Sequence, residues 1–226
     1  MEADDGNVVV LLSRRLVVAV YDPKWFMEVV ERLRKRSLPF SFYYTVEELP
    51  EYSVVYTDSD EILRELDSRR DLTIVYDPEK TCRGLEKAVL NTMFREEYTL
   101  LTIGIDPGLT HAYIALGDSM LLEWGFAEQV VEKVRELVEC IPAKSKVVRV
   151  GGNSRGLEIA KGVKDNLRDI RVEIVSEYNT TPSHSRGVDG LYRGLRNILA
   201  RQPYLKRNKD IIAALKISLK QGVEVV

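Results

Sequence analysis

The stretch Leu101-Thr-Ile-Gly-Ile-Asp-Pro-Gly-Leu-Thr-His111 predicts a buried strand that ends in an acidic turn. Its apolar residues favour a strand, and Pro107 with Gly108 turns the chain back directly after Asp106. A carboxylate in that position is held by the sheet but faces an open crevice, which suits a Mg²⁺ ligand. The same residues also fit a plain hairpin turn, because Asp, Pro and Gly are common turn residues.

The chain after this turn predicts a mixed α/β domain. Strands at 110–116 and 120–124 flank Gly117-Asp118 and predict a hairpin. Counted from the strand at 100–106 that precedes the turn, the order is βββαβαβαα, which is the order of a ribonuclease H-like domain. Its remaining predicted elements are helices at 127–139, 157–167, 190–201 and 209–221 and strands at 146–150 and 171–176.

The chain before residue 99 has a different pattern and a different charge. Short Val-rich runs such as Arg15–Tyr21 alternate with helical spacing, which predicts a small α/β layer domain with a mostly parallel sheet. Residues 1–98 carry 14 Lys and Arg against 20 Asp and Glu, whereas residues 99–226 carry 19 against 15. We therefore expect two domains, 1–98 and 99–226, and the first shows no glycine-rich phosphate loop.

Composition limits the class of protein. The 226 residues are 45% hydrophobic and 30% charged with a net charge of -2, which excludes a disordered chain and a wholly basic one. Cys82 and Cys140 lie far apart in the sequence, so we expect two free thiols in a reducing compartment. The acidic start and the lack of a long apolar run predict a cytoplasmic protein outside the membrane. The few Gln and Asn residues favour a thermophile.

Two further acidic residues follow at element ends. Glu177 comes after the predicted strand at 171–176, and Asp210 opens the predicted helix at 209–221. Each also has an ordinary structural explanation. A glutamate at a strand end is commonly solvated, and an aspartate in the first turn of a helix is favoured by the helix dipole without any metal.

These segments together resemble the RuvC and YqgF branch of the ribonuclease H-like superfamily, over residues 99–222. Gly104-Ile-Asp106-Pro-Gly108 resembles the opening strand of the RuvC Holliday-junction resolvases. Three later segments are more similar to YqgF, the family of Holliday-junction resolvase-like and pre-ribosomal-RNA nucleases. They are Val147-Val-Arg-Val-Gly151-Gly152-Asn153, Ser176-Glu177-Tyr178-Asn179-Thr180-Thr181 and Asp210-Ile-Ile-Ala213-Ala214-Leu215. The chain departs from the pattern at Ser176, where aspartate is usual, at Tyr178, where arginine is usual, and at Ala213, where RuvC has a second aspartate.

The resemblance implies a nuclease that hydrolyses phosphodiester bonds in structured DNA or RNA, such as a Holliday-like junction or a ribosomal RNA precursor. It implies that Asp106, Glu177 and Asp210 are catalytic and hold two Mg²⁺ or Mn²⁺ ions, and that the protein can form a homodimer. Two-metal sites of this kind clamp the attacking and leaving oxygens. Further site residues on these motifs are Gly108, Asn153, Thr180, Thr181 and His184, the last because it lies in a polar loop beside Glu177.

A basic segment supplies a candidate nucleic-acid contact. Residues 183–209 hold seven cationic side chains against one acid, Asp189, with Tyr192 and Tyr204 between them. Such a patch fits phosphate binding, although it also fits a solvated helix face. The seven cationic residues are Arg186, Arg193, Arg196, Arg201, Lys206, Arg207 and Lys209.

Two other functions remain open at this point. The departures at Ser176 and Ala213 also fit a catalytically degenerate module that binds nucleic acid or a protein partner. The Gly-Ile-Asp-x-Gly pattern opens actin-like and sugar-kinase-like ATP sites as well. That fold needs a second similar domain with a phosphate loop, which residues 1–98 do not show.

Overall fold

The computed structural model describes residues 12–176, 195–200 and 202–225. The chain divides into two compact units: Met1–Tyr98 with Cys140–Pro142, and Thr99–Glu139 with Ala143–Val226. Both units combine helices with a sheet, so the α/β class expected from the sequence is confirmed. No helix in the described ranges is long and apolar enough to cross a membrane.

The first unit is built on a four-stranded parallel sheet with the order β2-β1-β3-β4. All residues of β1 and β3 are buried, as expected for central strands of a parallel sheet. Its elements are β1 (Leu16–Ala19), α1 (Pro23–Lys35), β2 (Ser41–Phe42), β3 (Val54–Thr57), α2 (Asp60–Glu65), β4 (Thr73–Tyr76) and α3 (Cys82–Thr92).

Side-chain caps start the helices of this unit. Asp22 accepts a hydrogen bond from the Trp25 backbone amide, and Pro23 occupies the first helical position. Ser59 and Thr81 cap α2 and α3 in the same way. Strand β2 is short, because only its two residues pair with β1.

The two cysteines correct a sequence-based expectation. Instead of two free thiols, the structure pairs Cys82, the first residue of α3, with Cys140 as a disulfide. Their Cα atoms are 5.5 Å apart, within the range that a disulfide spans. The physical reason is that folding brings together residues separated by 58 positions, which sequence spacing does not reveal.

The second unit contains a six-stranded mixed sheet with the order β10-β9-β8-β5-β6-β7. Strand β6 is antiparallel to both β5 and β7, and β8 is parallel to β9. This agrees with the predicted hairpin start followed by βα units. Its strands are β5 (Tyr98–Asp106), β6 (His111–Gly117), β7 (Met120–Ala127), β8 (Ala143–Gly151), β9 (Arg171–Val175) and β10 (Val223–Glu224).

The helices of this unit cover the sheet. They are α4 (Val130–Cys140), α5 (Ser154–Asn166), α6 (195–200), a short 3₁₀ helix (Pro203–Arg207) and α7 (Lys209–Leu219). Leu195 and Ile198 of α6 and Ile211 and Leu215 of α7 pack with Ile114 of β6 in one apolar cluster. The 3₁₀ helix and β10 are elements that the sequence patterns do not predict.

Candidate active site

The predicted first acid lies at the end of a central strand. Asp106 is the last residue of β5, is half-buried, and pairs in register with Ala112 of β6. The alternate residues Leu101, Ile103 and Ile105 are fully buried and fix β5 in the sheet. The backbone that carries Asp106 is therefore anchored on both sides by neighbouring strands, β6 and β8.

The second acid reaches the same place on a helix. Asp210 is the second residue of α7, and Asn208 caps that helix by accepting hydrogen bonds from the Asp210 and Ile211 amides. A negative charge in this first turn is favoured by the helix dipole. The carboxylate of Asp210 is exposed to solvent.

A close contact between α7 and β5 aligns the two acids. A Cβ atom added to Gly104 would lie 2.3 Å from the Ala214 carbonyl oxygen, so the helix backbone rests directly on the strand at this glycine. Gly104 and Asp106 share one face of β5, and Asp210 and Ala214 share one face of α7. Asp106 and Asp210 consequently line one cavity of about 470 Å³.

The other walls of this cavity are turn and strand residues. Gly108, Leu109 and Thr110 belong to the turn after β5, and Phe126 lies near the end of β7. Leu109 is 90% exposed and Phe126 is 43% exposed, which is unusual for large apolar side chains. The cavity therefore joins two carboxylates to an open apolar rim that the sequence analysis missed.

Two residues from the start of α5 hold the turn. Asn153 caps α5 by accepting from the Gly156 amide, and its Nδ2 donates to the Pro107 carbonyl at 3.3 Å. Arg155 Nη1 donates to the Gly108 carbonyl at 2.8 Å. Asn153 was expected at this site from its motif, whereas Arg155 was missed because no motif marks it.

A buried carboxylate network anchors the far end of α7. Glu173 of β9, which is 2% exposed, accepts from Arg149 Nε at 2.9 Å and from the Gly222 amide at 3.1 Å. The same arginine donates through Nη1 to the Ser218 carbonyl at 2.6 Å. Arg149 thus ties the helix that carries Asp210 to β8 and β9.

The structure describes only part of the predicted site. Arg196 of α6, Lys206 and Arg207 of the 3₁₀ helix and Lys209 of α7 have exposed side chains. No group of three or more His, Cys, Asp or Glu residues within the described ranges is arranged to hold a metal ion. Seven predicted site residues lie outside the described residues: Glu177, Thr180, Thr181, His184, Arg186, Arg193 and Arg201.

The donors that are described suit a hard cation. Asp106 and Asp210 offer carboxylate oxygens at one cavity. Mg²⁺ is commonly held by one or two carboxylates together with water and substrate phosphates. The two residues therefore fit a magnesium or manganese ion by their chemistry.

Comparison with known proteins gives distant structural matches. No protein-family model matches the chain, and neither does any curated protein sequence. One match is Marinitoga piezophila Argonaute in complex with 5′ OH guide RNA, with 11% identity and a TM-score of 0.29 over 76% of this chain. The same Argonaute with guide RNA and target DNA gives 11% identity and a TM-score of 0.27 over 72% of this chain. The chain spans 41% and 39% of those proteins, and the resemblance to RuvC and YqgF stays a prediction.

Proposed function

We propose that the second unit is a divalent-metal-dependent nuclease that hydrolyses phosphodiester bonds in structured DNA or RNA. The observation that supports this most directly is the shared cavity of Asp106 and Asp210 at the end of β5. Asp106 and Asp210 are 104 positions apart in the sequence, so it is the fold that brings them to one cavity.

Each acid has a defined part in this proposal. Asp106, fixed by the sheet, and Asp210, fixed by the capped start of α7, would hold Mg²⁺ or Mn²⁺, with Glu177 as the expected third ligand. When bound, the metal supplies charge stabilisation and a more acidic water at the phosphodiester. The chain itself contributes orientation, because the close contact of β5 with α7 fixes the backbone positions from which the two carboxylates extend.

The exposed cations beside the cavity are proposed to hold the nucleic acid. Lys209 directly precedes Asp210, and Lys206 and Arg207 lie one short turn before it. Cations in this position would contact backbone phosphates and offset their repulsion by the carboxylates. These contacts would position the strand without reading its sequence.

A cleavage assay tests the proposal. Four-way junctions, flaps, duplexes and ribosomal RNA precursors are incubated with Mg²⁺ or Mn²⁺, and with a chelator as the metal-free control. We expect cleavage by the unmodified chain, and a loss of at least ~10³-fold in Asp106→Asn and Asp210→Asn, because each change removes a charge that holds the metal. Binding of the substrate should remain or become tighter.

The matched control is Asp165→Asn, which changes an exposed aspartate of α5 outside the cavity. It should cut at the unmodified rate. Equal cleavage by Asp106→Asn would contradict the assignment of the site. Binding of all substrates without any cleavage would instead support the catalytically degenerate module.

A further inference from the structure

A second cavity lies at the opposite end of the same sheet. It has a volume of about 780 Å³ and opens where β8 and β9 begin, between the end of α4 and the loop after α5. We call it the amino-edge groove. Leu100 lines this groove, whereas Asp106 at the other end of β5 lines the acidic cavity. The two positions are six residue steps apart along β5, which corresponds to roughly 20 Å at ~3.3 Å per residue.

Charge distinguishes this groove from the acidic cavity. Five cationic side chains line it against two carboxylates, Asp169 and Glu173. The Glu173 carboxylate is already neutralised by Arg149 and by Arg171 Nη2 at 2.8 Å. The five cationic residues are Lys144, Lys146, Arg149, Arg168 and Arg171.

Two of these cations are available to a ligand. Lys144 and Arg168 are exposed, and neither has a hydrogen-bond or ion-pair partner among the residues that the structure describes. Lys146 differs, because its ammonium donates to the Val138 carbonyl at the groove wall. The groove therefore carries one exposed cation from β8 and one from the loop before β9, beside the single exposed carboxylate of Asp169.

Part of the groove lining is apolar. It is formed by Leu100, Val147, Leu167 and Ile170. Sites for small molecules typically combine such an apolar lining with a few charged groups and have volumes of about 300–1,000 Å³. An anion with an apolar, planar part fits this arrangement better than an isolated inorganic ion does.

We propose that the amino-edge groove binds a nucleoside phosphate. The phosphates lie between Lys144 and Arg168, and the base packs against the apolar part of the lining, beside Leu100 and Leu167. The ligand is either a free nucleotide or the terminal nucleotide of a nucleic-acid strand, since both present the same chemistry. This inference does not depend on nuclease activity, because the groove shares no lining residue with the acidic cavity.

Binding of a fluorescent nucleoside triphosphate, measured by anisotropy in the presence of a chelator, tests the proposal without metal at the acids. Lys144→Glu and Arg168→Glu should each raise the Kd at least ~10-fold, because a favourable ion pair becomes a repulsion. Lys161→Glu is the matched control, since it reverses an exposed charge of α5 outside the groove. Inorganic tripolyphosphate should compete at least ~5-fold more weakly than the nucleotide.

Parallel titrations with 5′-phosphorylated and unphosphorylated oligonucleotides separate the two sources of the ligand. Tight, phosphate-dependent binding of the oligonucleotide identifies a strand end, and preferential binding of the triphosphate identifies a free nucleotide. No nucleotide binding at millimolar concentration overturns the proposal. The proposal is also overturned if Lys161→Glu raises the Kd for the nucleotide as much as the groove variants do. It is overturned as well if the Kd changes in Asp106→Asn but not in Lys144→Glu and Arg168→Glu. Circular dichroism checks that every variant is folded.

Discussion

Gly104 of β5 lies directly against the backbone of Ala214 in α7. A methyl group at position 104 would come within 2.3 Å of the Ala214 carbonyl oxygen and 2.6 Å of the Ser218 Cβ atom. The first of these atoms belongs to the helix backbone, so it cannot move aside as a flexible side chain can. The alignment of Asp106 with Asp210 depends on this contact. Asp106 lies two residues after Gly104 on β5, and Asp210 lies one helical turn before Ala214 on α7.

The first prediction concerns Gly104→Ala. The added methyl group must push α7 away from β5, so we expect the free energy of unfolding to fall by about 1–3 kcal/mol, as in other overpacked cores. The displaced helix should also carry Asp210 away from Asp106. Chemical denaturation measures the first effect. The displacement of Asp210 is tested by titration with Mn²⁺, in which binding is detected through the paramagnetic relaxation of water protons.

Gly162→Ala is the control for this prediction. Gly162 lies inside α5, and a Cβ atom there would meet only the end of the Val131 side chain, at 3.3 Å. Alanine is favoured over glycine inside a helix by about 0.5–1 kcal/mol, so this variant should keep its stability. If Gly104→Ala had the same free energy of unfolding and the same affinity for Mn²⁺ as the control, the contact between β5 and α7 would not determine the geometry of the site.

The second prediction separates two roles of Asn153. Asn153→Ala removes the α5 cap and the bond to the Pro107 carbonyl, so the free energy of unfolding should fall by about 1 kcal/mol. Asn153→Asp keeps an acceptor for the Gly156 amide but loses the donor to Pro107. We expect both variants to cleave more slowly than the unmodified chain, because both lose the bond to the Pro107 carbonyl. Asn153→Asp should nevertheless keep the stability of the unmodified chain. Recovery of both properties together would indicate that Asn153 acts only as a helix cap.

The third prediction concerns the salt dependence of nucleic-acid binding. Each phosphate contact contributes about 0.9 to the slope of log K against log salt concentration on duplex DNA. Arg207→Ala and Lys209→Ala should each reduce that slope by about this amount, and Lys161→Ala should leave it unchanged. Filter-binding titrations from low to moderate salt measure the slopes. Unchanged slopes in the first two variants would place these cations on a solvated surface instead.

The fold was predictable from the sequence to the extent that local patterns determine it. The buried run before Asp106 and the Gly117-Asp118 turn each act over a few residues, and the elements they predict are present. Strand β10 was not predictable in this way. It has two exposed residues and exists because it pairs with β9, which is a contact between distant parts of the chain.

The same distinction applies to the site. The positions of Asp106 and Asp210 at element ends follow from sequence, because a strand end and a helix start are local features. The roles of Arg155 and Arg149 do not, since each is defined by a carbonyl that lies far away in the sequence. The pairing of Cys82 with Cys140 was missed for this reason too: their spacing carries no information about their distance in the fold.

The last prediction concerns His111, the first residue of β6. Burial lowers the pKa of His111 from its usual 6.5, and the nearby charge of Arg155 lowers it further. The folded protein therefore binds this proton less readily than the unfolded chain does. Between these two pKa values the unfolded state holds more protons, so stability should fall as the pH decreases below about 6.5. Thermal unfolding at pH 7.5 and at pH 5.5 should show this loss, and His111→Leu should make it smaller.

NMR titration measures the pKa of His111 directly. This pKa should lie below 6.5 in the unmodified chain and rise in Arg155→Gln, where only burial remains. A His111 pKa above 6.5, or one indifferent to Arg155→Gln, would contradict this account of the imidazole beside the turn.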